Sequence, residues 1–181
     1  MRRRQLLQLL SASAMAASLA VAGSTALAGS GRVRFLAVAD TGSGNSHQRA
    51  VGAQWLRSVL GSSTAPWKVV VGHHPIYSSG YYGNNASLQA KIGALMQRHG
   101  VQLYINGHEH NYERSRPIDG ITYLVVGGGG ASLRPILPTD QSARAISTYS
   151  FAEIEAGPKE LTVAAWDSKG QLIDRAVVAR R

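Results

Sequence analysis

No cysteine occurs anywhere in the chain. That excludes a disulfide framework and thiolate metal ligands, so stability must rest on an apolar core and metal binding on His, Asp and Asn. Internal repeats and long linkers are missing as well. The run Gly127 to Gly130 lacks the G-x-G-x-x-G spacing that opens a dinucleotide-binding helix, and reads instead as a loop allowing close backbone approach. His108-Glu109-His110 lacks the one-turn spacing of the H-E-x-x-H zinc protease motif. Acidic residues are few, 10 against 19 lysines and arginines, for a formal charge of +9. A surface of that sign suits phosphorylated molecules, but it equally fits nucleic acid or an anionic membrane, and so distinguishes none of them.

What is present begins with an export pattern. Met1 to Gln5 carries three arginines, Leu6 to Ala22 is mostly Leu, Ala, Val and Ser, and Ala26-Leu27-Ala28 has small residues at both key positions. This is the order of a secretory signal peptide, expected over residues 1–28, with an N-terminal anchor or a buried helix as the competing reading. Arg3-Arg4-Gln5-Leu6-Leu7-Gln8 is similar to the twin-arginine pattern, which exports folded proteins and suits one that acquires metal first. The expected location is periplasmic or secreted, without membrane attachment after cleavage. Removal of residues 1–28 takes away Arg2, Arg3 and Arg4 and leaves a formal charge of +6 on the remaining 153 residues. A chain of that length buries on the order of two-thirds of its unfolded surface and needs no covalent staples.

Residues 29–181 read as one domain. Val33 to Ala39 is a short apolar run ending in Asp40-Thr41-Gly42, a strand followed by a polar turn. Trp55, Leu56 and Val59 recur at helical spacing after a Ser46 cap, which predicts a helix over Ser46 to Leu60. Trp67 to Val71 is nearly all apolar, the pattern of a strand covered on both faces, and it ends in Gly72-His73-His74-Pro75. A second helix is marked by Leu88, Ile92, Leu95 and Met96, closed near Gly100. Val101 to Ile105 then gives a strand ending in Asn106-Gly107-His108-Glu109-His110. This alternation predicts an α/β sheet with Asp40, His73, His108 and His110 at the carboxyl ends of strands. From Ile121 onward the pattern changes to strands joined by turns, so the C-terminal half is expected to be mostly antiparallel.

Four of the six histidines fall in two pairs, each behind an apolar strand. One such pair is ordinary loop composition; two pairs and a strand-end aspartate point to metal, for which neutral imidazole is the commonest ligand. The strings Trp67-Lys68-Val69-Val70-Val71-Gly72-His73-His74-Pro75 and Gly107-His108-Glu109-His110-Asn111-Tyr112-Glu113-Arg114 resemble the last two metal-binding blocks of the calcineurin-like metallophosphoesterases of the purple acid phosphatase type. Asp40-Thr41-Gly42 resembles the first block, with Ala39 where the family usually has Gly.

The resemblance implies a β-sandwich flanked by helices and hydrolysis of phosphomonoesters by a metal-activated water. It further implies an iron paired with zinc, manganese or a second iron. Asp40 and His110 would hold the first ion, and His73 and His108 the second. His74 would sit beside the site without ligating. Tyr82, with Tyr81, falls where the family often places a substrate-contacting residue; ordinary loop aromatics are the alternative. The expected partner is a small phosphorylated substrate, with no specific nucleic acid.

Two blocks of the family, similar to G-D-x-x-Y and G-N-H-(D/E), occur nowhere in the chain. They carry the bridging carboxylate, the tyrosinate, an Asn ligand and a His proton donor. The family's Gln-x-x-Trp-Leu helix, to which the helix bearing Gln54-Trp55-Leu56 corresponds here, normally follows them. The expectation is therefore an internal loss near Val51, a reduced fold, room for one metal rather than two, and impaired activity. A non-catalytic metal- or phosphate-binding remnant is the alternative function, and an incomplete product that does not fold stably is a further one.

Overall fold

The computed structural model describes residues 46–180. The expected signal, the Val33 to Ala39 strand and Asp40 lie outside the described residues. Helix α1 spans Ser46–Ser62 and leads to strand β1, Val69–Val71. The second helical stretch is in three pieces: α2 Ala86–Leu88, a π-helical turn Gln89–Gly93 and α3 Ala94–Arg98. Asn85 caps it through its side-chain oxygen, which accepts from the Leu88 amide, and Gly100 at φ 67° turns the chain out of it.

Strands β2 Leu103–Asn106, β3 Tyr112–Ser115, β4 Thr122–Val126, β5 Ser142–Ile146, β6 Ser150–Ala156, β7 Leu161–Asp167 and β8 Leu172–Val178 follow. They form a five-stranded sheet in the order β1-β2-β4-β3-β5 and a three-stranded sheet β6-β7-β8. In the larger sheet β1, β2 and β4 are parallel, while β3 is antiparallel to both β4 and β5. The smaller sheet is antiparallel throughout, as expected for the C-terminal half. The result is a mixed α/β fold.

Alternation along the strands explains the layering. Tyr104 and Tyr123 project to one face of the larger sheet, into a core with Leu56, Leu60, Ile76, Leu95 and Met96 from the helical side. Leu103 and Leu124, one residue away, project to the other face and pack with Leu161, Val163, Ala165 and Val178 of the smaller sheet. Side chains one residue apart face opposite sides of a strand, so the near-continuous apolar runs of β2 and β4 serve two cores at once. β1 departs from that pattern. It pairs with β2 alone among the described strands, and Val71 is 74% exposed. Its strand is also shorter than the apolar run from Trp67: the Lys68 amide donates to the Gln102 side-chain oxygen at 2.7 Å rather than to a strand carbonyl, and Trp67 is held by its indole Nε1 donating to the Gly157 carbonyl at 2.7 Å.

A three-bond polar link joins the two sheets, beside a single bond from Arg144 Nε on β5 to the Ile173 carbonyl on β8 at 2.9 Å. Arg114 on β3 donates to both oxygens of Asp174 on β8, from Nε at 2.6 Å and from Nη2 at 3.1 Å, and the Tyr112 hydroxyl adds a third bond at 2.8 Å. Burial pushes the Asp174 carboxyl up, but the bonds from Arg114 and Tyr112 and the guanidinium charge outweigh it and hold it below the usual carboxylate range. A lowered folded-state pKa stabilises the fold above the unfolded value, about 4, and that stabilisation is lost as pH falls through the lowered one. The melting temperature is therefore expected to drop below about pH 4, and Asp174→Asn to flatten that part of the profile. An unchanged acid slope in the variant would show that other carboxylates dominate.

Candidate metal centre

The site is built where two parallel strands run out side by side. Val71 pairs with Ile105, and the ladder continues past both strands: the Gly72 amide donates to Ile105 at 2.9 Å and the Gly107 amide to His73 at 3.1 Å. This carries Gly72-His73-His74 and Gly107-His108 forward as neighbours. Tyr104, buried and with its hydroxyl pushed up to about 12 by that burial, donates to the His74 carbonyl at 2.9 Å and holds the first of the two turns. An added Cβ on Gly72 would fall 2.2 Å from that hydroxyl, so the turn fits only glycine while Tyr104 keeps its place.

The second turn bends sharply because His108 has φ 65°, a left-handed conformation uncommon outside glycine. Its neighbours hold it there. Arg134 donates from Nη1 to the His108 carbonyl at 2.6 Å and from its amide to the His110 carbonyl at 3.0 Å. The Glu109 carboxylate is fully buried, and its Oε1 accepts from the Tyr82 amide. Gly80 has no side chain because a Cβ would lie 2.7 Å from that carboxyl carbon.

Three imidazoles meet at the strand ends. His73 Nε2 lies 3.1 Å from His108 Nδ1, and the His74 and His108 ring centres are 4.2 Å apart. One nitrogen from each of His73, His74 and His108 falls within 4.8 Å of the others. Burial, then the neighbouring His74, His73 and Arg134, lower the His108 pKa against an opposing pull from Glu109; burial and then His73 lower that of His74. Both shifts favour the neutral form that binds metal.

His110 is placed differently. Its Nδ1 lies 2.8 Å from the Ser132 carbonyl, and it is not part of the three-imidazole group. Tyr82 covers the cluster, its ring centre 4.5 Å from that of His108, with the Arg134 guanidinium 4.9 Å above the tyrosine ring. A cleft of about 410 Å³ opens beside them, lined by His74, His108 and Tyr82 and, opposite, by Asn84, Asn85 and Ala86.

Several contributors stand outside the expected ligand set. Arg134 follows a glycine-rich loop and nothing in its neighbourhood marks it. Glu113 is buried and accepts from Ser78 Oγ at 3.0 Å, the Ser79 amide at 2.8 Å and Ser142 Oγ at 2.7 Å, tying the loop before Tyr82 to β3 and β5. Beneath the histidine turn, the side chains of Asn106 and Asn111 and Glu109 Oε2 are buried without a hydrogen-bond partner among the described residues. Native folds rarely leave such atoms unbonded, and their concentration at one turn favours a binding site over simple packing. The donor set, three grouped imidazoles beside unpartnered buried polar atoms, fits at least one metal ion.

The family model described as calcineurin-like phosphoesterase matches residues 19–112. Purple acid phosphatase 3 of Arabidopsis thaliana is 39% identical over 72 residues, covering 40% of this chain and 20% of its own length. Tartrate-resistant acid phosphatase type 5 of Oryctolagus cuniculus is 26% identical over 140 residues, covering 70% and 42%. Among solved structures, the purple acid phosphatase PPD1 of yellow lupin matches with a TM-score of 0.65 at 26% identity, over 70% of this chain and 28% of that one. GAP50, the anchor in the inner membrane complex of Plasmodium, shares the fold at a TM-score of 0.66 and 23% identity, over 75% and 43%. The chain spans less than half the length of each.

Proposed function

Since the chain belongs to the calcineurin-like phosphoesterase family, whose model covers more than half of it, we propose that it is an exported, metal-dependent phosphoester hydrolase of acid phosphatase type with impaired activity. Residues 1–28 act as the signal and residues 29–181 as the phosphoesterase domain. The substrate is a small phosphomonoester.

The observation that carries this reading is the meeting of His73 Nε2 and His108 Nδ1 at 3.1 Å on the ends of adjacent parallel strands. These two histidines hold metal, and the resemblance adds Asp40 and His110 to the ligand set. When bound, the metal neutralises phosphate charge and activates water for in-line attack. The chain's own residues do the rest. Tyr82 and His74 wall the cleft and orient the ester, and the Arg134 guanidinium, over the Tyr82 ring, adds positive charge next to the anion.

Impairment follows from the chemistry that is absent. Without the family's bridging carboxylate a close pair of cations loses its tether and mutual screen, and without its proton-donating histidine the leaving alcohol departs unassisted. Helix α1 running unbroken through Val51, where the missing blocks are inferred to have been lost, supports a fold that closes over the gap. The test is metal analysis of the purified mature protein together with hydrolysis of an aryl phosphate. The expected result is fewer than two ions per chain and turnover near background; a full pair and robust turnover would overturn the impairment. Among the described residues the imidazoles group without a carboxylate, which favours one variation, a remnant that binds metal or phosphate without hydrolysis, which the same assay would reveal as binding without turnover.

A further inference from the structure

We infer that His74 is a metal ligand, and that His73, His74 and His108 together form a mononuclear three-imidazole site in place of the family's metal pair. The inference rests on the metal dependence proposed above and changes which residues carry it.

The geometry is specific to these three rings. Ligand nitrogens on one tetrahedral zinc with bonds of about 2.0–2.1 Å stand about 3.3 Å apart. His73 Nε2 and His108 Nδ1 are already at 3.1 Å, and a His74 nitrogen lies within 4.8 Å of both. Closing the remaining gap takes a side-chain adjustment, since both turns are held by backbone bonds: Tyr104 to the His74 carbonyl, Arg134 to the His108 carbonyl. His73 and His74 are exposed and His108 is half-buried, so the group can be entered from solvent.

His110 falls outside the three-ring group. With φ 65° at His108 the chain bends immediately after the third ring, and His110 Nδ1 lies 2.8 Å from the Ser132 carbonyl, which fixes that ring apart from the other three. Glu109, the acid next in sequence to His108, is fully buried, its Oε1 accepting from the Tyr82 amide and its Oε2 lying 3.9 Å from Arg134 Nη1.

The chemistry follows from the donor set. Three imidazole ligands suit zinc, copper, iron or nickel and do not suit magnesium or calcium, which prefer oxygen. Three protein ligands leave one tetrahedral position open, the arrangement of catalytic rather than structural zinc. Among the described residues no carboxylate joins the three nitrogens, so they leave the ion's double charge uncompensated toward an anion entering the cleft beside Tyr82.

The test uses cobalt(II) as probe on the full-length mature protein, reading stoichiometry by calorimetry and coordination by visible absorption, which intensifies strongly in tetrahedral geometry. The wild type is expected to bind one cobalt per chain with that intense absorption. His74→Ala is expected to weaken cobalt binding at least tenfold and to lose the tetrahedral signature, with the metal-free melting temperature reporting that the fold persists. Retention of affinity and spectrum in His74→Ala overturns the inference and leaves the proposed function standing. His110→Gln, which keeps a donor toward Ser132, supplies the second arm: loss there as complete as in His74→Ala would also overturn it. A wild type that binds no cobalt, zinc or iron would overturn this inference and the metal-dependent reading together.

Discussion

Gly127→Ala is expected to destabilise the protein by about 3 kcal/mol or more and to abolish metal binding with it. An added Cβ would lie 1.8 Å from the Glu109 carbonyl oxygen and 2.8 Å from its carbon. Both are backbone atoms, so no rotamer change relieves the overlap. The end of β4 must instead part from the histidine turn, breaking the 2.9 Å bond from the Gly127 amide to Asn111 and releasing the Arg134 clamp on His108. A loss of that size lowers the melting temperature of a chain this long by about 6–12 °C. Gly129→Ala is the control two residues away, because a Cβ there meets nothing within 4 Å. Thermal melts and cobalt titrations of the two variants side by side decide the matter, and indistinguishable behaviour would mean that the turn yields at little cost.

Arg114→Met is expected to have the second large effect. The Arg114 and Asp174 side chains keep only 17% and 8% exposure. Removing one member of a buried pair costs about 3–5 kcal/mol, mainly because the other charge is left without compensation. The lower end applies here, since the Tyr112 hydroxyl still donates to Asp174. Adding Asp174→Leu to Arg114→Met should recover part of the loss, because an apolar pair leaves no charge stranded. Chemical denaturation of the single and double variants measures both. A double variant less stable than either single would show that the Tyr112 bond to Asp174, and not the ion pair, joins the two sheets.

This result bears on why the G-H-x-H-x-Y-E-R string has its particular tail. Along β3 the side chains alternate, so Tyr112 and Arg114 turn toward β8 and Asp174, while Glu113 turns to Ser78, Ser79 and Ser142. The string reads as a metal motif, yet its last three residues are structural. They join the two sheets and position the loop that places Tyr82 over His108.

Much of the fold was legible in the residue pattern. The helix from Ser46, strand β2 and the antiparallel C-terminal strands stand where apolar periodicity and turn residues put them. β3 and β5 were not legible, for a physical reason. Glu113, Arg114 and Ser115, and the run Ser142 to Ile146, are polar or small enough to look like loop. What allows Glu113 to be buried is satisfaction by groups distant in sequence, which no local window contains, and Ser115 is satisfied by the Tyr123 amide only once β3 and β4 have paired. The reading of β1 as covered on both faces failed in the opposite direction: an apolar run records how readily a segment can be buried, whereas burial depends on which neighbours arrive.

For the candidate site, sequence alone determined the family, the strand ends that bear the histidines and the absence of the middle blocks, because these are matters of residue order. Which imidazoles meet was decided only by tertiary structure. Adjacent parallel pairing of β1 and β2 brings His73, His74 and His108 into one group, and a left-handed His108, held by Arg134 from a separate segment, bends the chain so that His110 meets Ser132. Spacing along a chain specifies the ligands available, while register and backbone handedness, both set by long-range hydrogen bonds, specify which of them face one another.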